Sequence, residues 1–157
     1  FVKDIMAADP TIRYAGIDYS DVMVANARDF NAVFVLQGRA TIQLGDAENL
    51  PFKNEEMDKV FSVNTLYFWE NPEKVFAEIH RVLKPGGQLI LAIRPKSAME
   101  KYPFVKHGFQ MFSKEELETL VGQHHFEVEY CTEKAEPEIE FEGEKVQAVT
   151  LLIAARK

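Results

Sequence analysis

Three short stretches carry the residue types that can do chemistry. GIDYS (16–20) sets a carboxylate, Asp18, directly after an apolar run. GDAENLPF (45–52) supplies Asp46 and the Ala47 N–H, and NTLYFW (64–69) supplies Asn64 with Tyr67, Phe68 and Trp69. An ionised carboxylate offers two oxygens to two donors, which suits a pair of ribose hydroxyls at Asp18. Asp46 can accept from an exocyclic amine of a purine while the Ala47 N–H donates to a ring nitrogen. Asn64 offers donor and acceptor together, and Tyr67 or Trp69 can face a cation. Taken singly these features are ordinary: an Asp at a strand end is often a turn residue, and Trp69 can simply close a core.

The elements that must position them follow from apolar periodicity. Residues 12–17, 41–44, 58–63 and 88–93 read as strands, alternating with helices over 20–36 and from 71 onward, the pattern of a mainly parallel sheet. Residues 1–9 read as a helix tail with Phe1, Ile5 and Ala8 on one face. Ser20 is the expected N-cap of helix 20–36, whose apolar stripe is Val22, Ala25, Phe30 and Val33. Asn71 caps the next helix with Pro72 at its first position and Val75, Phe76, Ile79, Val82 and Leu83 inward. Lys84-Pro85-Gly86-Gly87 ends it, and QLILAI (88–93) is expected to be central and apolar on both faces. Ser113 and Glu116 form a capping box for helix 113–123. Alternation then predicts strands over 125–133 and 147–155, joined by KAEPEIEFEGEK (134–145), a solvated hairpin excursion or, more sharply, a docking surface for a basic partner. Since ligands of open α/β sheets bind beyond the carboxyl ends of strands, all three chemical stretches are expected on one rim.

At 157 residues with 46% hydrophobic and 27% charged residues, the chain has the proportions of one soluble domain, 1–157. A formal charge of −7 without a cationic stripe excludes a phosphate-backbone binder. No apolar run approaches the roughly 20 residues of a membrane helix. One cysteine, Cys131, allows no internal disulfide and fits a reducing, cytoplasmic setting; its simplest role is a small buried hydrophobe. No nucleic acid, membrane or metal partner is expected, and a homodimer is allowed for. His124, His125 and Cys131 are discounted as metal ligands because adjacent residues on a strand point to opposite faces.

In order and spacing, GIDYS, GDAENLPF, a strand opened by Asp58 and RVLKPGGQLIL resemble the class I S-adenosylmethionine-dependent methyltransferases, nearest the ubiquinone- and menaquinone-type small-molecule subgroup. The resemblance runs from about residue 12 to 95 and loosens after 110. It implies a Rossmann-like methyltransferase fold: a mainly parallel twisted sheet flanked by helices, with an antiparallel C-terminal strand. It also implies roles: Asp18 on the ribose hydroxyls, Asp46 and Ala47 on the adenine edge, Ile17 and Tyr19 flanking the cofactor, and Asn64 beside its methionine portion. Tyr67 and Trp69 would face a small-molecule acceptor, and S-adenosylhomocysteine would be the product. Gly86-Gly87 is a structural turn in this family and takes no ligand.

One departure stands out. The family's acid-x-Gly-x-Gly-x-Gly loop lies roughly 20 residues before the ribose acid. Seventeen residues precede Asp18, and Gly16 is the sole glycine among them. The first strand and its loop are therefore expected to be absent, and the polypeptide as written to bind the cofactor weakly. The rival readings are an inactive fragment or binding module and a nicotinamide-dependent oxidoreductase; GDAENLPF and RVLKPGG count against the latter. A general base is optional, with His107, His124 and Tyr67 as candidates, and Trp69, Tyr102, Phe104, Phe109 and Phe112 hint at an apolar or aromatic acceptor.

Overall fold

The computed structural model describes residues 2–100, 110–141 and 144–157. His107, Tyr102, Phe104 and Phe109 lie outside them. The chain forms two compact units, Phe1–Pro51 and Phe52–Lys157.

In the first unit, helix α1 (Val2–Ala8) leads into strand β1 (Tyr14–Asp18), helices α2 (Asp21–Phe30) and α3 (Ala32–Leu36), and strand β2 (Ala40–Leu44). β1 and β2 run parallel, with Asp18 opposite Leu44. The inward residue of α1 is Met6, with Ile5 half-buried and Ala8 exposed, so the expected Ile5–Ala8 face is corrected; Phe1 is outside the described residues. Arg39 ties the end of α1 down, its Nη2 donating to the carbonyls of Met6 at 3.0 Å and Asp9 at 2.9 Å. Cationic donors near a helix C-terminus satisfy the carbonyls that lack intrahelical partners.

The expected single helix over 20–36 is instead two. Asn31 breaks it: its Nδ2 donates to the Ala27 carbonyl at 2.8 Å, offering the backbone a competing partner. The buried side of α2 is Val24, whereas Val22 (62% exposed), Phe30 (67%) and Val33 (64%) face outward. The predicted stripe is thus on the wrong side. Ser20 caps α2 as expected, accepting from the Met23 N–H at 3.3 Å.

The second unit is a four-stranded sheet in the order β3 (Met57–Val63), β4 (Leu83–Ile93), β8 (Val149–Arg156), β5 (Glu127–Ala135). β3 and β4 are parallel, and β8 is antiparallel to both its neighbours. A single turn of 3₁₀ helix (Leu66–Phe68) precedes α4 (Pro72–Val82); the short α5 (Lys96–Met99) and then α6 (Lys114–Gln123) follow β4. Asn71 accepts from the Lys74 N–H at 3.1 Å, and Val75, Phe76, Ile79, Val82 and Leu83 are all buried, as the periodicity requires. The Ser113–Glu116 capping box is present in both directions, at 3.2 and 2.7 Å.

β4 begins at Leu83, so Lys84-Pro85-Gly86-Gly87 lies within the strand's first half and not in a loop before it. Gly86 has φ +73°, and a Cβ at Gly87 would stand 2.8 Å from the Lys84 carbonyl oxygen and 3.2 Å from that of Asp58. Backbone approaches that close exclude a side chain. Leu89, Leu91 and Ile93 of β4 bury against the sheet's core, shared with Leu151 and Ile153 of β8. Between β5 and β8 the short antiparallel pair β6 (Ile139–Phe141) and β7 (Glu144–Val146) forms the expected hairpin. Its base is not a purely solvated excursion, because Glu136 is bound by Arg94 and Thr150. His124 caps α6 and His125 has φ +65°, so neither is on a strand as expected. Cys131 is buried on β5 opposite Ile153.

Candidate functional site

In the first unit, β1 ends at Asp18, a half-buried residue. Its Oδ1 accepts from the Ser20 N–H at 2.9 Å, which fixes the rotamer while leaving Oδ2 without a partner among the described residues. Ser20 therefore serves twice, orienting Asp18 through its N–H and capping α2 through its Oγ. The Gly45 N–H donates to the Asp18 carbonyl at 3.0 Å, so the DAEN turn starts directly beside the end of β1. There Asp46 is exposed; its Oδ1 accepts from the Glu48 N–H at 2.9 Å and its carbonyl from the Asn49 N–H at 3.1 Å. The Ala47 N–H donates to no described residue. Among the described residues this leaves one carboxylate oxygen of Asp46 and the Ala47 N–H without partners, an acceptor beside a donor.

The structure therefore brings Asp18, Asp46 and Ala47 to neighbouring strand ends. Ile17 falls on the opposite face of β1 from Asp18 by strand alternation. It packs over Gly45, where a Cβ would lie 3.4 Å from Ile17 Cγ2. Tyr19 is 87% exposed and free of the core. The sequence reading overlooked Gly45, whose missing side chain leaves the Ile17 flank uncrowded; its position beside the acid was the available signal.

In the second unit, Asn64 stands at the tip of β3 with φ +55°, a left-handed backbone that Asn tolerates better than most residues. Its N–H donates to the Ala92 carbonyl at 2.8 Å, and its side chain is exposed. The Tyr67 hydroxyl donates to Asn64 Oδ1 at 3.2 Å and accepts from the Arg94 N–H. Tyr67 is buried, so it presents no open face to a cation or substrate. Burial pushes its phenol up, offset by the Arg94 N–H and charge, which keeps it protonated and unsuited to act as a base at neutral pH. Trp69 is also buried, edge-on to Phe76 at 5.4 Å between ring centres. Among these three aromatics only Phe68 is exposed.

Arg94, which the sequence reading missed, links the strand ends of this unit. Its guanidinium donates to Glu136 Oε1 at 2.6 Å and Oε2 at 3.2 Å, to the Thr150 hydroxyl at 3.0 Å and to the Val149 carbonyl at 3.2 Å. His124 stacks on Phe76 at 4.5 Å, and His80 and His125 approach to 6.5 Å around a cavity of about 320 Å³. Burial lowers the pKa of both His80 and His124; Lys157 and His125 add to the effect at His80, and Glu73 opposes it at His124. Among the described residues no group of three or more His, Cys, Asp or Glu is arranged to hold a metal ion. Nor is any described helix long and apolar enough to cross a membrane.

A family model described as a methyltransferase domain matches residues 3–91. The chain belongs to this methyltransferase family. A solved complex between the Haloferax volcanii Trm112 methyltransferase activator and a methyltransferase matches with a TM-score of 0.83 at 22% identity, over 99% of this chain and 76% of that one. A SAM-dependent methyltransferase of Thermotoga maritima matches with a TM-score of 0.67 at 23% identity, over 99% of this chain and 87% of that one. The fold is the Rossmann-like α/β fold of class I S-adenosylmethionine-dependent methyltransferases.

Among curated proteins, the malonyl-[acyl-carrier protein] O-methyltransferase of Alcanivorax borkumensis is 38% identical over 97 residues, 59% of this chain and 30% of that protein. The ubiquinone/menaquinone biosynthesis C-methyltransferase of Geobacter sulfurreducens is 32% identical over 82 residues, 52% of this chain and 32% of that protein. The chain thus spans about a third of the length of these relatives.

Proposed function

We propose that the chain is the S-adenosylmethionine-binding part of a small-molecule methyltransferase. The observation that carries this reading is the pair of strand ends in the first unit. There Asp18 is oriented by Ser20 with one oxygen unpaired among the described residues, and the Asp46 carboxylate adjoins an Ala47 N–H that is likewise unpaired among them. Asp18 would accept from the ribose hydroxyls and Asp46 and Ala47 would read adenine, with Ile17 and Tyr19 as apolar flanks. When bound, the cofactor supplies a methyl group already activated on a sulfonium, so transfer to the acceptor needs alignment and exclusion of water more than acid–base help. Phe68, exposed after β3, takes over the acceptor-facing role that the sequence pattern gave to Tyr67 and Trp69.

A second reading, a chain that binds the cofactor weakly and does not turn over as written, is favoured by one feature. Among the described residues β1 pairs only with β2 and β3 only with β4, so each of these strands has one edge without a partner strand. Supplying a strand to such an edge would stabilise the strand end that holds Asp18.

Both readings keep the same binding residues, and a substitution tests them. Asp18→Ala should weaken S-adenosylhomocysteine by about 1–3 kcal/mol, the scale of hydrogen bonds to a charged group. Unchanged affinity would remove Asp18 from the site. Methyl transfer by the purified chain to a quinol or acyl acceptor separates the active from the inactive reading.

A further inference from the structure

Three of the chain's four histidines meet on one side of the second unit, and the proposed function uses none of them. His80 stands in the last turn of α4, while His124 and His125 directly follow α6. His124 closes that helix and His125 has φ +65°, so the strand alternation that would send their side chains to opposite faces does not apply. All three, with Ala77, line the cavity of about 320 Å³. His124 lies flat against Phe76 at 4.5 Å, and His80 packs on Phe126 with ring centres 5.5 Å apart. None of the three rings makes a hydrogen bond to a described residue. Each imidazole therefore keeps a nitrogen lone pair uncommitted, which is unusual for half-buried groups such as His80 and His124.

We infer that His80 and His125 together hold one divalent ion of the zinc class, with water completing its coordination. An imidazole nitrogen binds zinc at about 2.0–2.1 Å, which sets each ring centre roughly 3.2 Å from the ion. Two rings sharing an ion are then at most about 6.4 Å apart. The His80 and His125 ring centres are 6.5 Å apart. A tetrahedral angle needs them closer by about 1.3 Å, which small rotations supply because no hydrogen bond holds either ring and His125 is exposed. Two protein ligands, not three, are within reach, in keeping with the lack of any larger ligating group among the described residues. Imidazole suits zinc, copper and nickel, whereas magnesium and calcium take oxygen ligands. Burial, then Lys157 and His125, hold His80 below the ordinary histidine range, so its lone pair is available at neutral pH. The Lys157 charge also opposes a cation there, so affinity comes from the nitrogen donors and not from local charge. The ion would clamp α4 to the turn after α6.

Calorimetric titration of the full chain with zinc chloride at about pH 7.5, where an ordinary imidazole is neutral, tests this, with magnesium chloride as the contrast. One zinc per chain is expected, and no saturable heat from magnesium. His125→Asn keeps a residue that tolerates the left-handed backbone and should weaken zinc by about tenfold or more, as should His80→Gln. His107→Gln should leave the titration unchanged. Zinc should also raise the melting temperature of the unsubstituted chain, because an ion that binds only the folded state stabilises it, and should not raise that of His125→Asn. In the ¹⁵N-labelled chain the imidazole nitrogens of His80 and His125 should shift on adding zinc.

No saturation up to millimolar zinc, or the same titration in His80→Gln and His125→Asn as in the unsubstituted chain, overturns the assignment. So does a loss in His107→Gln as large as in those two variants. None of these outcomes bears on the cofactor reading, which rests on residues of the first unit.

Discussion

The Arg94–Glu136 pair gives a prediction whose size can be worked from geometry. Glu136 receives two guanidinium N–H bonds, at 2.6 and 3.2 Å, and one from the Thr150 hydroxyl at 2.5 Å. A hydrogen bond to a charged partner is worth about 1.5–3 kcal/mol when desolvated, while an exposed ion pair is worth about 0.2–1. With 29% of the Arg94 and 41% of the Glu136 side chain exposed, screening brings the pair to an intermediate value, about 1–2 kcal/mol. Arg94→Met and Glu136→Gln, alone and combined, should therefore show that much coupling in a double-mutant cycle. In a chain of this length the shift in melting temperature is about 2–8 °C. The single tryptophan, Trp69, is buried in the same unit and reports its unfolding by fluorescence.

Dependence on pH adds a second check. Arg94, and then Thr150, hold the Glu136 carboxyl below the usual glutamate range. Its folded pKa is depressed, so the stabilisation is complete above the unfolded value and is lost as pH falls through the folded one. The Gln variant should lack that acid-side loss. Coupling within a few tenths of a kcal/mol of zero, or identical acid profiles, would refute the view that this strap fastens the hairpin base to β4.

Other consequences are more direct. Phe76→Ala removes a fully buried ring that contacts Trp69, His124 and Phe126, and should destabilise the second unit by about 3–5 kcal/mol in urea, with Phe76→Leu costing clearly less. Burial, then Glu118, raise the Cys131 thiol to about 11, so a thiol reagent should label it at neutral pH no faster than β5 opens. His80 and His124 have folded pKa values below the ordinary 6.5, so the unfolded chain takes up protons first. Stability should fall as pH drops from that value towards the folded ones, and His80→Gln with His124→Gln should flatten that slope in pH-dependent urea titrations.

What the sequence made legible was local. α4 could be read because Asn71-Pro72 announces its start and its apolar residues fall on one side only. The Ser113–Glu116 box is likewise written in adjacent residues, whereas KPGG, expected as a break before the strand, lies inside β4. α2 was misread because apolar residues lie on more than one of its sides, so periodicity does not choose the inward one, and Asn31 breaks the helix through its own side chain. Asp18, Asp46 and Ala47 could be placed at or just beyond strand ends because each closely follows a short apolar run.

The fates of Tyr67 and Trp69 were not recoverable in this way. Whether an aromatic after a strand turns inward depends on what it meets, here the Arg94 N–H and Phe76. The Tyr67–Arg94 and Arg94–Glu136 contacts join residues 27 and 42 positions apart, and no local pattern marks them.

On the proposed function, this methyltransferase-family chain grips the nucleoside of S-adenosylmethionine at the ends of β1 and β2. The most direct measurement is a ¹H–¹⁵N correlation titration of the labelled chain with S-adenosylhomocysteine, carried to millimolar ligand so that weak binding registers. Saturable shifts are expected at the amides of Asp18, Tyr19, Gly45, Asp46 and Ala47, with the binding curve displaced to weaker affinity in Asp18→Ala. Shifts confined to other regions, or the same curve in the variant, would contradict it.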